Sequence, residues 1–220
     1  MIPLYCTYLG CLFFSFLIGF INRKALKGRQ LSLLIPYLFL VFAQELTIFI
    51  IRETSAKPDV VIAYNLYRPI TVCVFAWLFY HFPFRQIYRK IIPWIVIIYL
   101  VIVAYFFFFV SSIKSYNREL SLGGGIALTL FGILFLFDYF NLDNAIEEEK
   151  WRPVLWITAG IVIFYPVVNI CFAFYKDIFA ENAMIFGVYL YNAIPQILSI
   201  IMYSSFAFAF YLCRKNYYLD

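Results

Sequence analysis

Seven stretches of apolar residues, each about as long as a membrane span, alternate along this chain with short polar breaks. A transmembrane helix needs about 20 such residues. The first stretch runs from about Pro3 to Ile21 and breaks at Asn22–Gln30. The second is Leu31–Ile51, closed by Arg52, with a polar segment to Asp59 behind it. The third, Val60–Phe82, ends in the basic Pro83–Lys90. The fourth, Ile91–Ser112, is the most uniformly apolar. The fifth is Ser121–Leu142, followed by a charged loop at Asp143–Arg152. The sixth is Pro153–Tyr175. The seventh, Met184–Cys213, is longer than a span requires, so it is expected to tilt or to extend past the bilayer. In lipid every backbone N–H and C=O must be paired within the segment, so such runs become helices. The pattern predicts an all-α fold: a polytopic bundle of seven transmembrane helices, one domain over residues 1–220, with no soluble domain.

Composition supports this. Hydrophobic residues make up 65% of the chain and charged ones 13%, against about 45–50% and 25% in soluble domains. Aromatic residues make up 23%, which suits a bundle packed and belted by rings. The net charge of +5 does not point to nucleic acid, because the basic residues sit in short loops where topology explains them. Lys and Arg number eleven on the side of the first basic loop and five on the other, which predicts the N-terminus outside and the C-terminus inside. Arg23 is the first basic residue and no small-residue cleavage site precedes it, so the first run reads as a retained helix rather than a signal peptide.

Polar residues within the spans change the picture most. Arg68, in Tyr64–Asn65–Leu66–Tyr67–Arg68–Pro69, is the one Lys or Arg set well inside an apolar run. A cation there costs about 2.5–3.5 kcal/mol on insertion scales, so it faces a partner or a water-filled cavity. Glu45 on the second span and Arg68 on the third both fall roughly 10–12 Å below the outer surface by helical rise. Sequential helices joined by a short loop are expected to be neighbours, which predicts a Glu45–Arg68 ion pair. Tyr64, Arg68 and Thr71 share a face of the third span, with Gln44 and Thr47 beside Glu45 on the second. Tyr165 and Asn169 on the sixth span lie near the same depth. On the seventh, Tyr189, Asn192, Gln196, Ser199 and Tyr203 follow helical spacing along one face. Pro166 and Pro195 each free a backbone carbonyl beside these groups. The fourth span brings almost no polar group and is expected to face lipid. Two readings of the layer stand open: hydrogen-bonding glue between helices, or a ligand site within the membrane.

Other chemistry finds little support. No lysine lies deep in a span, which argues against a retinal Schiff base. Pro195–Gln196 occurs once, not in two repeats as in small PQ-type transporters. Glu147–Arg152 fits an EExxxR pattern but lies in a cytoplasmic loop without the histidines that pattern needs, and reads as a solvated charge run. His81 and Asp138 lie at span ends and read as interfacial. Five single cysteines, with no CxxC pair, read as small packing residues. Gly123–Gly124–Gly125 permits either close packing or a flexible entrance. No catalytic residue, metal-ligand set or cofactor is predicted.

The Tyr64–Asn65–Leu66–Tyr67 start of the third span, the aromatic run Phe75–Tyr80 and the Asn192-to-Tyr203 stripe resemble a group of small seven-helix integral membrane proteins of Bacteroidota. Similar seven-helix units serve as sensory inputs to kinases or cyclases. The resemblance covers the whole chain and implies a bacterial inner membrane. The expectation is a receptor-like or sensory protein that binds a small polar or anionic ligand at Glu45, Arg68, Asn65, Tyr165, Asn169, Asn192 and Gln196. Its partners would be membrane lipid and a signalling protein acting in trans. A small transporter with Glu45 as its proton-coupling carboxylate, or a structural subunit of a membrane complex, are the alternatives.

Overall fold

The computed structural model describes residues 2–27, 30–54, 60–82, 86–110, 113–115, 117–141, 145–174, 178, 184–185 and 188–217. Within these lie seven helices long and apolar enough to cross a membrane. They are α1 (Ile2–Ile21), α3 (Leu34–Thr54), α4 (Val61–His81), α5 (Gln86–Tyr105), α6 (Arg118–Tyr139), α7 (Ala145–Ala173) and α8 (Leu190–Tyr217). A short helix, α2 (Arg23–Lys27), follows α1, and a 3₁₀ turn at Leu31–Leu33 leads into α3. A π-helical turn at Phe106–Val110 continues α5. The protein is an integral, multi-pass membrane protein. Seven crossings among the described residues set the start of α1 and the end of α8 on opposite sides of the membrane, here named the amino and carboxy sides.

Element boundaries differ from expectation in three places. The charged stretch expected as a loop up to Arg152 is already helical from Ala145. Pro153 is tolerated inside α7 because the carbonyl it frees belongs to Glu149, an exposed residue at the water-facing end. The seventh span starts at Leu190, not Met184. A minimal hairpin, β1 (Met184–Ile185) with β2 (Val188–Tyr189), occupies the preceding residues, pairing Met184 with Tyr189 and Ile185 with Val188. The first basic break contains α2, which buries Ala25 and Leu26 and exposes Arg23, Lys24 and Lys27.

Packing runs around a ring. α8 packs along α7 and α1, α7 along α6, α6 against α4, and α1 against α3. The ring is weakest between α3 and α4, which touch only lightly. These sequential helices are neighbours, as expected, but their contact is light: α1 packs more extensively on α3, and α6 on α4. The fourth span, α5 with its π turn, lies outside the ring against α4 and α6. Its residues are 17% buried against 33–44% in the other spans, as a lipid-facing helix should be.

Lipid tails are as apolar as leucine, so close backbone approach and interlocking side chains hold such helices together. At Gly160 of α7 an added Cβ would stand 3.3 Å from the Met202 backbone of α8. At Gly125 of α6 it would overlap the Asn169 amide. Close packing, not a flexible entrance, is therefore what the glycine run at 123–125 provides. Toward the carboxy side the ring closes on phenylalanine. Phe75, Phe79, Phe131, Phe206 and Phe210 are all 0% exposed. Phe82 caps this cluster, 5.3 Å from the Phe135 ring and 5.9 Å from Trp151.

Candidate functional site

Toward the amino side and through the middle of the bundle the ring interior is lined by tyrosine. Tyr5 and Tyr8 come from α1, Tyr37 from α3, Tyr64 and Tyr67 from α4, Tyr165 from α7 and Tyr203 from α8. Tyr37 and Tyr67 share a hydroxyl–hydroxyl bond of 2.7 Å across the seam between α3 and α4, and their rings stack. The Tyr37 hydroxyl also reaches Thr71 at 3.3 Å. Tyr203 lies within electrostatic reach of Tyr8, Tyr37, Tyr67 and Tyr165. Long rings thus span the gap that the helix backbones leave.

Glu45 is the charged member of this group and is 7% exposed. Tyr5 donates to its carboxylate at 2.7 Å and approaches its backbone carbonyl at 3.1 Å. The Tyr64 hydroxyl is directed to the same carboxylate. Arg52, two turns on in α3, lies within electrostatic reach.

The expected Glu45–Arg68 ion pair is not formed. Arg68 donates to the Asn117 carbonyl at 3.2 Å. α3 and α4 meet lightly, and Tyr64, one turn before Arg68, lies within reach of both charges. A hydroxyl donor thus takes the position that a guanidinium was expected to hold.

Arg68 belongs instead to a set of ties around the start of α6. Asn65, 2% exposed, donates to the carbonyls of Ile113 and Ser115 at 2.8 and 2.7 Å. Tyr99 of α5 donates to Leu120 at 3.2 Å, and Asn169 of α7 to Leu122 at 3.5 Å. These carbonyls lie in the α5–α6 connection or the first turns of α6.

The predicted residues therefore fall into two groups. Glu45 and Tyr165 join the tyrosine lining; Arg68, Asn65 and Asn169 hold the α5–α6 connection. Asn192 and Gln196 lie half-buried on α8 and make no side-chain hydrogen bond among the described residues. Tyr189 is in β2, off the helical stripe to which it was assigned. Buried without a partner are Gln196 Oε1, Gln44 Nε2 and Asn65 Oδ1. Tyr64, Tyr67 and Tyr165 also keep partial exposure. Sequence reasoning missed Tyr5, Tyr8 and Tyr37. The available signal was that Tyr5 and Tyr8 are spaced by three and Tyr37 is eight before Glu45, so each lies on one helix face with its neighbour.

Elsewhere, His81 Nδ1 lies 2.8 Å from the Trp77 carbonyl one turn back, and the Lys150 ammonium stands over the Trp151 ring. All five cysteines are free. In comparisons with known proteins, no family model, no curated protein and no solved structure matches this chain.

Proposed function

We propose that this membrane protein is receptor-like or sensory and that it binds a small polar ligand among the tyrosines at the α3–α4 seam. One observation carries this reading: a buried carboxylate, Glu45, meets hydroxyls from α1 and α4 beside the place where the ring is least tightly packed. Intramembrane ionisable groups mark functional sites by default. A ligand with hydrogen-bond donors would satisfy Glu45 and Gln196 Oε1, and an acceptor on it would satisfy Gln44 Nε2. An anionic ligand is less favoured than the sequence implied, because the Arg68 guanidinium is turned to the Asn117 carbonyl. Ligand insertion would compete with the Tyr37–Tyr67 bond and shift α3 against α4. Basic segments on the carboxy side would hand that shift to a partner protein in the bacterial inner membrane.

The test is a thermal-melt screen of purified protein against small polar metabolites. A compound that binds the folded state raises the melting temperature as its concentration exceeds Kd. It should stabilise the wild type and Arg68→Gln but neither Glu45→Gln nor Tyr64→Phe. A compound that stabilises Glu45→Gln equally would remove Glu45 from the site. The transporter reading draws on the same buried carboxylate, which has hydroxyl partners and suits proton exchange; uptake into proteoliposomes driven by a proton gradient would select it.

A further inference from the structure

A second feature lies on the opposite half of the bundle, on its lipid-facing surface. Between α1 and α8 runs a largely apolar groove of about 310 Å³, lined by Cys11, Phe14, Ile18, Ser204, Ala207, Phe208 and Tyr211. All seven lie within the membrane-crossing parts of their helices. Seven residues of α1 separate Cys11 from Ile18, so the groove is about 10 Å long. Its size suits a single hydrocarbon chain.

The groove ends beneath a cluster of cations. Arg23 follows Ile18 by five residues and Arg214 follows Tyr211 by three, which sets both within about 5–8 Å of its end along the helix axes. α2, which carries Arg23, Lys24 and Lys27, packs against α8, whose membrane-crossing part ends at Arg214. All four are exposed, and among the described residues none forms an ion pair. The Arg23 guanidinium lies 5.5 Å from the Phe20 ring centre, at the level where α1 leaves the membrane. Tyr211 is 55% exposed at the same level, where amphipathic rings mark the headgroup boundary.

We propose that this groove and its cations form a site for an anionic phospholipid of the carboxy-side leaflet. One acyl chain lies along Cys11, Phe14 and Phe208, and the phosphate is held by Arg23 and Arg214. Basic pockets between helices at a membrane surface recognise such headgroups. Arg supplies several N–H donors in a planar fork that matches phosphate oxygens.

The experiment is native mass spectrometry of the full chain released from nanodiscs of phosphatidylcholine with one-fifth phosphatidylglycerol. The wild type should retain one phosphatidylglycerol roughly thirtyfold more than its share of the bilayer, the scale expected of two cations at the headgroup. The double variant Arg23→Gln/Arg214→Gln should lose that preference, and Arg23→Lys/Arg214→Lys should keep part of it. Ser204→Trp, made at an exposed groove-lining position, should reduce retention of both lipids. Circular dichroism checks that every variant stays helical. Equal retention of the two lipids by the wild type would overturn the proposal. So would a preference that survives Arg23→Gln/Arg214→Gln, or a dimer of this chain that dissociates in Ser204→Trp.

Discussion

The two halves of the ring interior are built from the same aromatic framework and differ by one oxygen per ring. On the carboxy side phenylalanines close the core completely; Phe75, Phe79, Phe131, Phe206 and Phe210 have no exposure. On the amino side tyrosines occupy comparable positions, yet Tyr64, Tyr67 and Tyr165 keep partial exposure. A phenyl ring needs only contact, so it can be packed to full density. A phenol also needs a partner for its hydroxyl, and meeting that need fixes the ring at an angle and a distance. Tyr37 stands where the two halves meet: its ring lies edge-on to Phe75 at 5.3 Å, and its hydroxyl joins Tyr67. The phenylalanine half is a rigid plug. The tyrosine half is held together by hydroxyl hydrogen bonds as well as by contact.

That contrast can be broken from the rigid side first. Phe131→Ala should produce the largest effect, about 3 kcal/mol of lost stability. This is the lower end for removing a buried phenyl ring, because in lipid the loss is mainly of contacts and of filled volume. Unfolding in mixed micelles with rising denaturant would measure it, and a loss below about 1 kcal/mol would mean that the plug relaxes as freely as the tyrosine half. Asn65→Ala comes next, at about 1–3 kcal/mol, because it strips the partner from two loop carbonyls. Limited proteolysis should then cut within residues 113–117 while the melting of the rest changes little. The smallest effect is reserved for the seam. A double-mutant cycle of Tyr37→Phe and Tyr67→Phe should return a coupling of about 0.6 kcal/mol, the mean for hydrogen bonds between membrane helices. A coupling of about 2 kcal/mol would make the seam a structural weld and count against ligand entry there.

Much of the fold was legible from the residues. Span number, helical class and the lipid-facing fourth span follow from runs of apolar residues, because a backbone in lipid has few ways to satisfy itself. The site was legible in part. Glu45 and Tyr165 were found from depth along the helix axis, which residue count measures well at a constant rise. Arg68 and Asn65 were found as polar and deep, but their partners were not. Those partners are backbone carbonyls at 113, 115 and 117, and a carbonyl carries no sequence signature. Tyr5, Tyr8 and Tyr37 went unread because tyrosine near a span end resembles the ordinary interfacial belt.

What the amino-acid sequence determined by itself is one-dimensional: which residues cross the membrane, how deep each polar group lies, and which ones share a helix face. What the tertiary structure decided is lateral. It set α1 beside α3 and α6 beside α4, left the α3–α4 seam to be bridged by rings, and gave Glu45 a tyrosine in place of an arginine. The reason is that depth follows from a repeat intrinsic to each helix. Neighbour choice follows from how small residues such as Gly125 and Gly160 let particular pairs of helices approach.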